Sequence, residues 1–302
     1  MKLELRNINK SFSGKHILKD VSFVANGGTP LGFLGRNGAG KTTTMRTIME
    51  VFRQDSGEIL IDGKPYRRYD YKIGYMPEER GMYQEIEILD QLSYIGQLKG
   101  MKKKAADESA ANWIHRFDLD EYKNKKLSTL SKGNQQKIQI AQAVIDDPDI
   151  LILDEPFSGL DPVNAQSLAN VIIEYVDKGR IVIFSSHQMA SVEEFCDDIV
   201  LINKGEIVLN DSLKNIKRLM GMGKKRLRVT GFTQDDVKNY LEKFGDFKVE
   251  NDRISSIIDF NSYSGNIGEI ISGIGKNIEL FSDYEPSLND IFIKKVGEYE
   301  NE

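Results

Sequence analysis

The run GRNGAGKTTT, Gly35 to Thr44, constrains this chain more than any other stretch of it. It follows the apolar segment LGFL, and its glycines, lysine and threonines are poor material for a packed core. In the spacing Gly35-x-x-x-x-Gly40-Lys41-Thr42 the glycines let successive backbone N–H groups turn inward around a polyphosphate, where side chains would obstruct them. Leu31, Phe33 and Leu34 read as the end of a buried strand. Thr42 to Val51 reads as a helix whose N-terminal dipole meets the anion. Asn37, Gly38 and Ala39 complete the loop. Lys41 then reaches the β- and γ-phosphates as a point charge, Thr42 offers its hydroxyl to Mg²⁺, and Thr43 adds a hydroxyl to a phosphate oxygen.

Two further stretches fit a nucleotide site. The segment DILILDEP, Asp149 to Pro156, is a short apolar run ended by two carboxylates, the look of a buried parallel strand that delivers acids to the C-terminal edge of a sheet. Asp154 is placed to hold Mg²⁺ through water. Glu155 is placed to accept a proton from the water that attacks the γ-phosphate. Between the two motifs, LSKGNQQK, Leu130 to Lys137, opens an apolar-periodic helix, so Ser131 and Gly133 make a second anion-binding N-terminus. The chain thus has two phosphate-seeking sites for a nucleotide with one γ-phosphate. If they lie at opposite ends of a protomer, a head-to-tail pair related by two-fold symmetry could sandwich two ATP molecules, each between one loop and the partner's Ser131 and Gly133.

Composition bounds the alternatives. With 302 residues and 40% hydrophobic content the chain can build one large and one small core. Its longest apolar runs fall far short of the ~20 residues that span a bilayer. The N-terminus shows no apolar signal core, and with Cys196 alone no disulfide can form within the chain, so a cytosolic setting is expected. A net charge of −5 argues against a broadly basic nucleic-acid surface, and no nucleic acid is expected as a partner. Lys102–Lys104 reads as a solvated helix start.

Taken in order, these motifs resemble the ATP-binding subunits of ABC transporters over roughly residues 2–215. The resemblance implies a mixed α/β fold: a P-loop NTPase core with an antiparallel β subdomain and a helical subdomain. It assigns the adenine-stacking aromatic to Phe12 in KSFSG, the phosphate loop to Gly35–Thr43 and the signature to Leu130–Asn134. The Mg²⁺ and base carboxylates fall on Asp154 and Glu155, the D-loop on Ser158–Asp161, and the switch histidine on His187 in IVIFSSHQM. Two positions depart from the family pattern. KIGYMPEERGMY carries Glu78 where a glutamine is usual, and a glutamate there could still ligate Mg²⁺, which would offset its charge beside a triphosphate. The signature reads LSKGN rather than LSGGQ, with Ser131 and Gly133 intact. A single phosphate loop, and the short Lys41–Ser131 interval without heptads, argue against a tandem ribosome-acting ATPase and a coiled-coil chromosome ATPase.

The pattern divides the chain into an ATP-binding domain over 1–215 with a helical part about 78–140, a linker over 216–225, and an accessory α+β domain over 226–302. EILIDGKPY and DIVLINKGEIVLND read as hairpins turning at Asp62-Gly63 and near Lys204-Gly205. After the linker the order strand, helix, strand, strand, helix, strand suggests a ferredoxin-like unit. Thr233 caps its first helix. A last helix is expected to start at Pro286, with Leu288, Ile291, Phe292 and Val296 on one face. This ending, with PEERGMY and LSKGNQQK, resembles the NatA-like subgroup. That likeness implies an ATPase subunit of an exporter, paired as a homodimer or with another ATPase subunit, and bound to a separate membrane permease at the cytoplasmic face.

Overall fold

The structure, a computed structural model, describes residues 1–79, 81–186, 189–245, 247–252, 255–261, 263 and 265–300. They form two compact units, one of Met1–Leu213 with Lys294–Glu302 and one of Lys214–Ile293.

The first unit contains two sheets. Strands β1 (Lys2–Phe12), β2 (Lys15–Asn26), β4 (Ser56–Ile61) and β5 (Lys64–Pro65) form an antiparallel sheet in the order β2-β1-β4-β5. The second sheet runs β10-β9-β3-β8-β7-β6, from β10 (Glu206–Ser212), β9 (Asp198–Asn203), β3 (Leu31–Leu34), β8 (Ile181–Ser186), β7 (Ile150–Asp154) and β6 (Ile73–Met76). All neighbours in it are parallel except the β9–β10 hairpin. Every residue of β3, β7 and β8 is buried, which explains their unbroken apolar runs: both faces of a parallel sheet are covered. Leu3, Leu5 and Phe23 of the antiparallel sheet share one core with Phe33, Ile152, Ile183 and Val200 of the parallel sheet. Met45 and Ile48 of helix α1 (Lys41–Ile48) join it.

Both predicted hairpin turns form, with Asp62 and Gly63 at φ 50° and 77° and Lys204 and Gly205 at φ 47° and 88°. Two consecutive left-handed residues match the right-handed twist of the flanking strands. The second turn also buttresses the phosphate loop. Gly205 N–H donates to the Ala39 carbonyl at 2.9 Å, and its own carbonyl accepts from Lys19 N–H at 2.9 Å. A side chain could not fit there, since a Cβ at Gly205 would lie 2.3 Å from the Ile17 carbonyl oxygen.

Helices α2 (Ile88–Leu98), α3 (Lys103–Arg116) and α4 (Lys132–Val144) follow β6. Lys99, just past α2, donates to Asp146 Oδ1 at 2.7 Å and to the Ala143 carbonyl at 3.0 Å, placing a cation at the C-terminal end of α4. Burial pushes the Lys99 ammonium below its usual value, against the pull of Asp146. Helix α5 (Pro162–Asp177) starts with Pro162 behind an Asp161 cap, α6 (Met189–Phe195) follows β8, and α7 (Leu213–Gly221) opens the second unit.

In the second unit, β11 (Lys224–Val229), α8 (Gln234–Leu241), β12 (Lys248–Asp252), β13 (Ser255–Asp259), α9 (Ile267–Ile274) and β14 (Ile278–Asp283) form a sheet in the order β12-β13-β11-β14. All its pairs are antiparallel, and with the βαββαβ sequence this is a ferredoxin-like topology. Leu227, Val237, Leu241, Ile258, Phe260, Ile270 and Ile274 form its core. Thr233 caps α8 in a full capping box with Asp236. The last helix, α10 (Leu288–Glu300), begins two residues later than Pro286 suggests. Ser287 and Asp290 explain the shift, for Ser287 N–H and hydroxyl bond the Asp290 carboxylate while Asp290 N–H donates to Ser287 Oγ at 3.2 Å. Of the four residues expected on the apolar face of α10, Leu288, Ile291 and Val296 are buried and Phe292 is half-buried.

Candidate nucleotide site

The C-terminal ends of the parallel strands bring the two acidic and phosphate-seeking stretches together. Leu34 pairs with Ser186, and Asp154 pairs with Ser185, so β8 lies between the phosphate loop and the carboxylates. Thr42 Oγ1 donates to Asp154 Oδ2 at 3.0 Å, and the Ser185 hydroxyl donates to Asp154 Oδ1. Glu155 N–H in turn reaches Ser185 Oγ at 3.2 Å. Lys41, nine-tenths buried, donates to the Gly35 carbonyl at 2.7 Å, and its Nζ stands 4.0 Å from Glu155 Oε1.

Glu155 is unusual in two respects. It is only 4% exposed, and its backbone sits at φ 52°, a left-handed conformation that costs a non-glycine residue about 1 kcal/mol or more. The apolar strand behind it and the bonds to Ser185 hold it there. The loop itself depends on backbone freedom at Gly38 (φ 79°) and Gly40 (φ 118°). At Gly35 a Cβ would come within 2.5 Å of the Ile202 carbonyl oxygen.

An open cleft of about 440 Å³ is lined by Phe12, Lys15, Ile17, Arg36, Asn37, Gly38, Gly40, Lys41, Thr42, Thr43, Glu78 and Asp154. Phe12 is 42% exposed at its rim, set edge-on against Phe52 at 4.9 Å, and so presents a ring face for stacking. Gly35 and Ala39 are buried beneath the loop. The donor set suits a polyphosphate with a divalent cation: free backbone geometry at glycine, one buried ammonium, two hydroxyls and a carboxylate. Mg²⁺ binds through one or two carboxylates plus phosphate oxygens rather than in an all-protein cage, and Asp154 with Thr42 fits that habit.

Ser131 and Gly133 do not line this cleft. Ser131 caps α4 and its Oγ accepts from Asn134 N–H at 3.3 Å. Gly133 faces the start of α5, where a Cβ would lie 2.4 Å from Asn164 Nδ2. His187 lies outside the described residues.

The structure adds residues that the sequence did not single out. Ser185, fully buried, donates to the Asp154 carboxylate and accepts from the Glu155 backbone N–H. Tyr75 on β6 has its phenol pushed upward, by burial first and by the Asp154 carboxylate second. Gln136 and Gln139 on α4 are buried and donate to the carbonyls of Pro156 and Pro77 at 2.5 and 2.7 Å. Two serines ending an apolar strand, and two glutamines three apart in an apolar helix, were the available signals.

Residues 18–158 match the family described as ABC transporter. The ABC transporter ATP-binding protein YhaQ of Bacillus subtilis is 44% identical over 269 residues, spanning 88% of this chain and 89% of that one. The chain belongs to the ABC transporter ATP-binding family. Another relative is the ABC transporter ATP-binding protein NatA of Bacillus subtilis, 33% identical over 66% of this chain and 83% of its own. Among solved structures, an ATP-binding subunit of an ABC transporter superposes with a TM-score of 0.66 at 28% identity, covering 80% of this chain and all of that one. The chain is therefore an ABC-type ATPase whose substrate is ATP.

Proposed function

We propose that this subunit dimerises head to tail around two ATP molecules and drives a separate membrane permease, as an exporter. The observation that carries this reading is the separation of two anion-suited sites in one chain: Lys41 and the loop in the cleft, Ser131 and Gly133 outside it. ATP can join a loop to a partner's signature through its γ-phosphate, whereas ADP cannot. Closure thus rests on differential affinity, the one way a ligand shifts a conformational equilibrium.

In this reading Lys41, the loop amides and Thr43 bind and orient the phosphates, and Phe12 stacks on the base. Thr42, Asp154 and Glu78 hold Mg²⁺, which would neutralise charge on the phosphates. Glu155 takes the proton of the attacking water, and His187, next in sequence after β8, contacts the γ-phosphate. Loss of that phosphate removes the bridge and the pair opens. Tyr83, Ile86, Tyr94 and Leu98, on and before α2, are exposed apolar side chains and offer the permease a contact surface. The subunit would sit at the cytoplasmic face through that contact; among the described residues no helix is long and apolar enough to cross a membrane.

Two measurements test this. Glu155→Gln protein should sediment as a dimer with ATP and as a monomer with ADP, and a monomer in both would remove the sandwich. Tagged Glu155→Gln protein recovered with ATP from detergent-solubilised native cells should bring a polytopic membrane protein with it. Recovery with ribosomes or DNA alone would assign the ATPase to another task.

A further inference from the structure

Phe12, at the rim of the nucleotide cleft, ends β1, and β2 begins at Lys15, so the ring rides on a hairpin tip whose turn residues Ser13 and Gly14 have φ 47° and 80°. On its other edge β1 pairs with β4 only as far as Asn9, which stands opposite Ser56. Lys10, Ser11 and Phe12 therefore run past the strand that could hold them on that side, and a two-stranded tip is marginally ordered by itself. Asp55, the residue before β4, takes the place of the missing strand. Its N–H donates to the Asn9 carbonyl at 2.8 Å, its Oδ2 accepts from Ser11 N–H at 2.6 Å, and its Oδ1 accepts from Lys10 Nζ at 2.7 Å. Lys10 first and the Ser11 N–H second hold the Asp55 carboxyl below its ordinary value, so it keeps its charge. The same ammonium stands over two rings, 5.3 Å from the centre of Phe12 and 5.8 Å from that of Phe52, and the two rings meet edge-on at 4.9 Å. Phe52 and Asp55 both lie on the chain that leaves α1, the helix that starts at Lys41.

We propose that Asp55, acting through Lys10 and Ser11, is a positioning residue that sets the Phe12 ring to receive the base of the nucleotide. The role depends on Phe12 stacking on the base, as proposed above. A ring fixed before the nucleotide arrives need not be ordered during binding, so the arrangement strengthens the hold on the base and leaves the phosphates to the loop. It thereby favours a nucleotide over a bare polyphosphate.

The test is calorimetric titration of the full-length chain, with Mg²⁺ present, by ADP and by inorganic pyrophosphate, which share a diphosphate and differ by the nucleoside. Losing a base-stacking ring costs about fivefold or more in affinity, and Phe12→Ala should weaken ADP by that much. Asp55→Ala should weaken ADP by about threefold or more, a part of the same loss, and leave pyrophosphate within about twofold of the parent. The double variant Phe12→Ala/Asp55→Ala should bind ADP no more weakly than Phe12→Ala alone, because Asp55 acts through that ring, whereas two independent structural losses would add. Should Asp55→Ala fail to fold, Lys10→Met removes the other half of the ion pair and carries the same expectations. A loss shared equally by ADP and pyrophosphate, an additive double variant, or undiminished ADP affinity in Asp55→Ala overturns the proposal and leaves Phe12 on the base. Undiminished ADP affinity in Phe12→Ala removes the stacking itself, and the role of Asp55 with it.

Discussion

The two units are made from similar materials and differ in what they bury. The first places Lys41, Asp154, Glu155, Asp146, Gln136 and Gln139 out of water; in the second, the buried polar side chains among the described residues are Ser255 and Ser256. Taking charge out of water is costly without a partner, and the first unit gives Asp154 two hydroxyls, Lys41 a carbonyl and Asp146 the Lys99 ammonium. The second is held by an apolar seam between one sheet face and two helices. Chemistry therefore constrains the first unit at points where packing alone would choose otherwise, and the second is constrained by packing.

The widest gap between the units should appear at Glu155. Glu155→Gln is expected to slow steady-state ATP hydrolysis by at least the ~10²-fold of losing a positioned base, with ATP affinity retained. Glu155→Gly should abolish turnover as fully yet raise the melting temperature, because glycine accepts φ 52° without strain. A glycine variant that melts lower would break the claim that this site trades stability for chemistry. The converse is expected at Ile258 in the other core. Ile258→Ala should cost that unit about 2–5 kcal/mol in denaturant unfolding, while ATP hydrolysis by the first unit persists. Loss of turnover there would end the separation of roles.

Ser185→Ala should have a smaller effect, lowering kcat by about tenfold, less than removal of the base itself, with little change in KM for ATP. A change in KM alone would mean that the hydroxyl serves binding rather than the carboxylates. The smallest effect concerns acid. In the second unit Asp236 is held below its ordinary value of 3.8 by the Thr233 hydroxyl and then by the Thr233 N–H. A depressed carboxylate stabilises the fold above its unfolded value and loses that contribution as pH falls through the folded value. Acid unfolding of Thr233→Ala should therefore be less steep below about pH 4 than that of the parent.

What sequence made legible was local. Lys41, Thr42, Asp154 and Glu155 stand in short runs whose spacing already implies a turn, a strand end and their chemistry; the cleft gathers Lys41, Thr42 and Asp154, and Glu155 stands 4.0 Å from Lys41. Ser185 was not legible because its role comes from the β7–β8 register, which sets it beside Asp154 from 31 positions away. Gln139 was hidden for the same reason, its partner Pro77 being 62 positions distant. The start of α10 was misplaced because Pro286 fits a first helical position equally well until the Ser287–Asp290 box is seen. The fold class was easier, since unbroken apolar runs in β7 and β8 leave a covered parallel sheet as their natural home.

The Lys204-Gly205 turn bears on how the protein is born. Its hydrogen bond to Ala39 supports the phosphate loop from a point far along the chain. A ribosome adds about 5–20 residues each second, so the loop emerges well before the turn that braces it. A nascent chain halted after residue 158 would carry the whole loop and both carboxylates, and yet lack β8, β9 and the brace. Its glycines would have no reason to keep their cradle shape, and nucleotide binding should switch on only when the second hairpin leaves the tunnel.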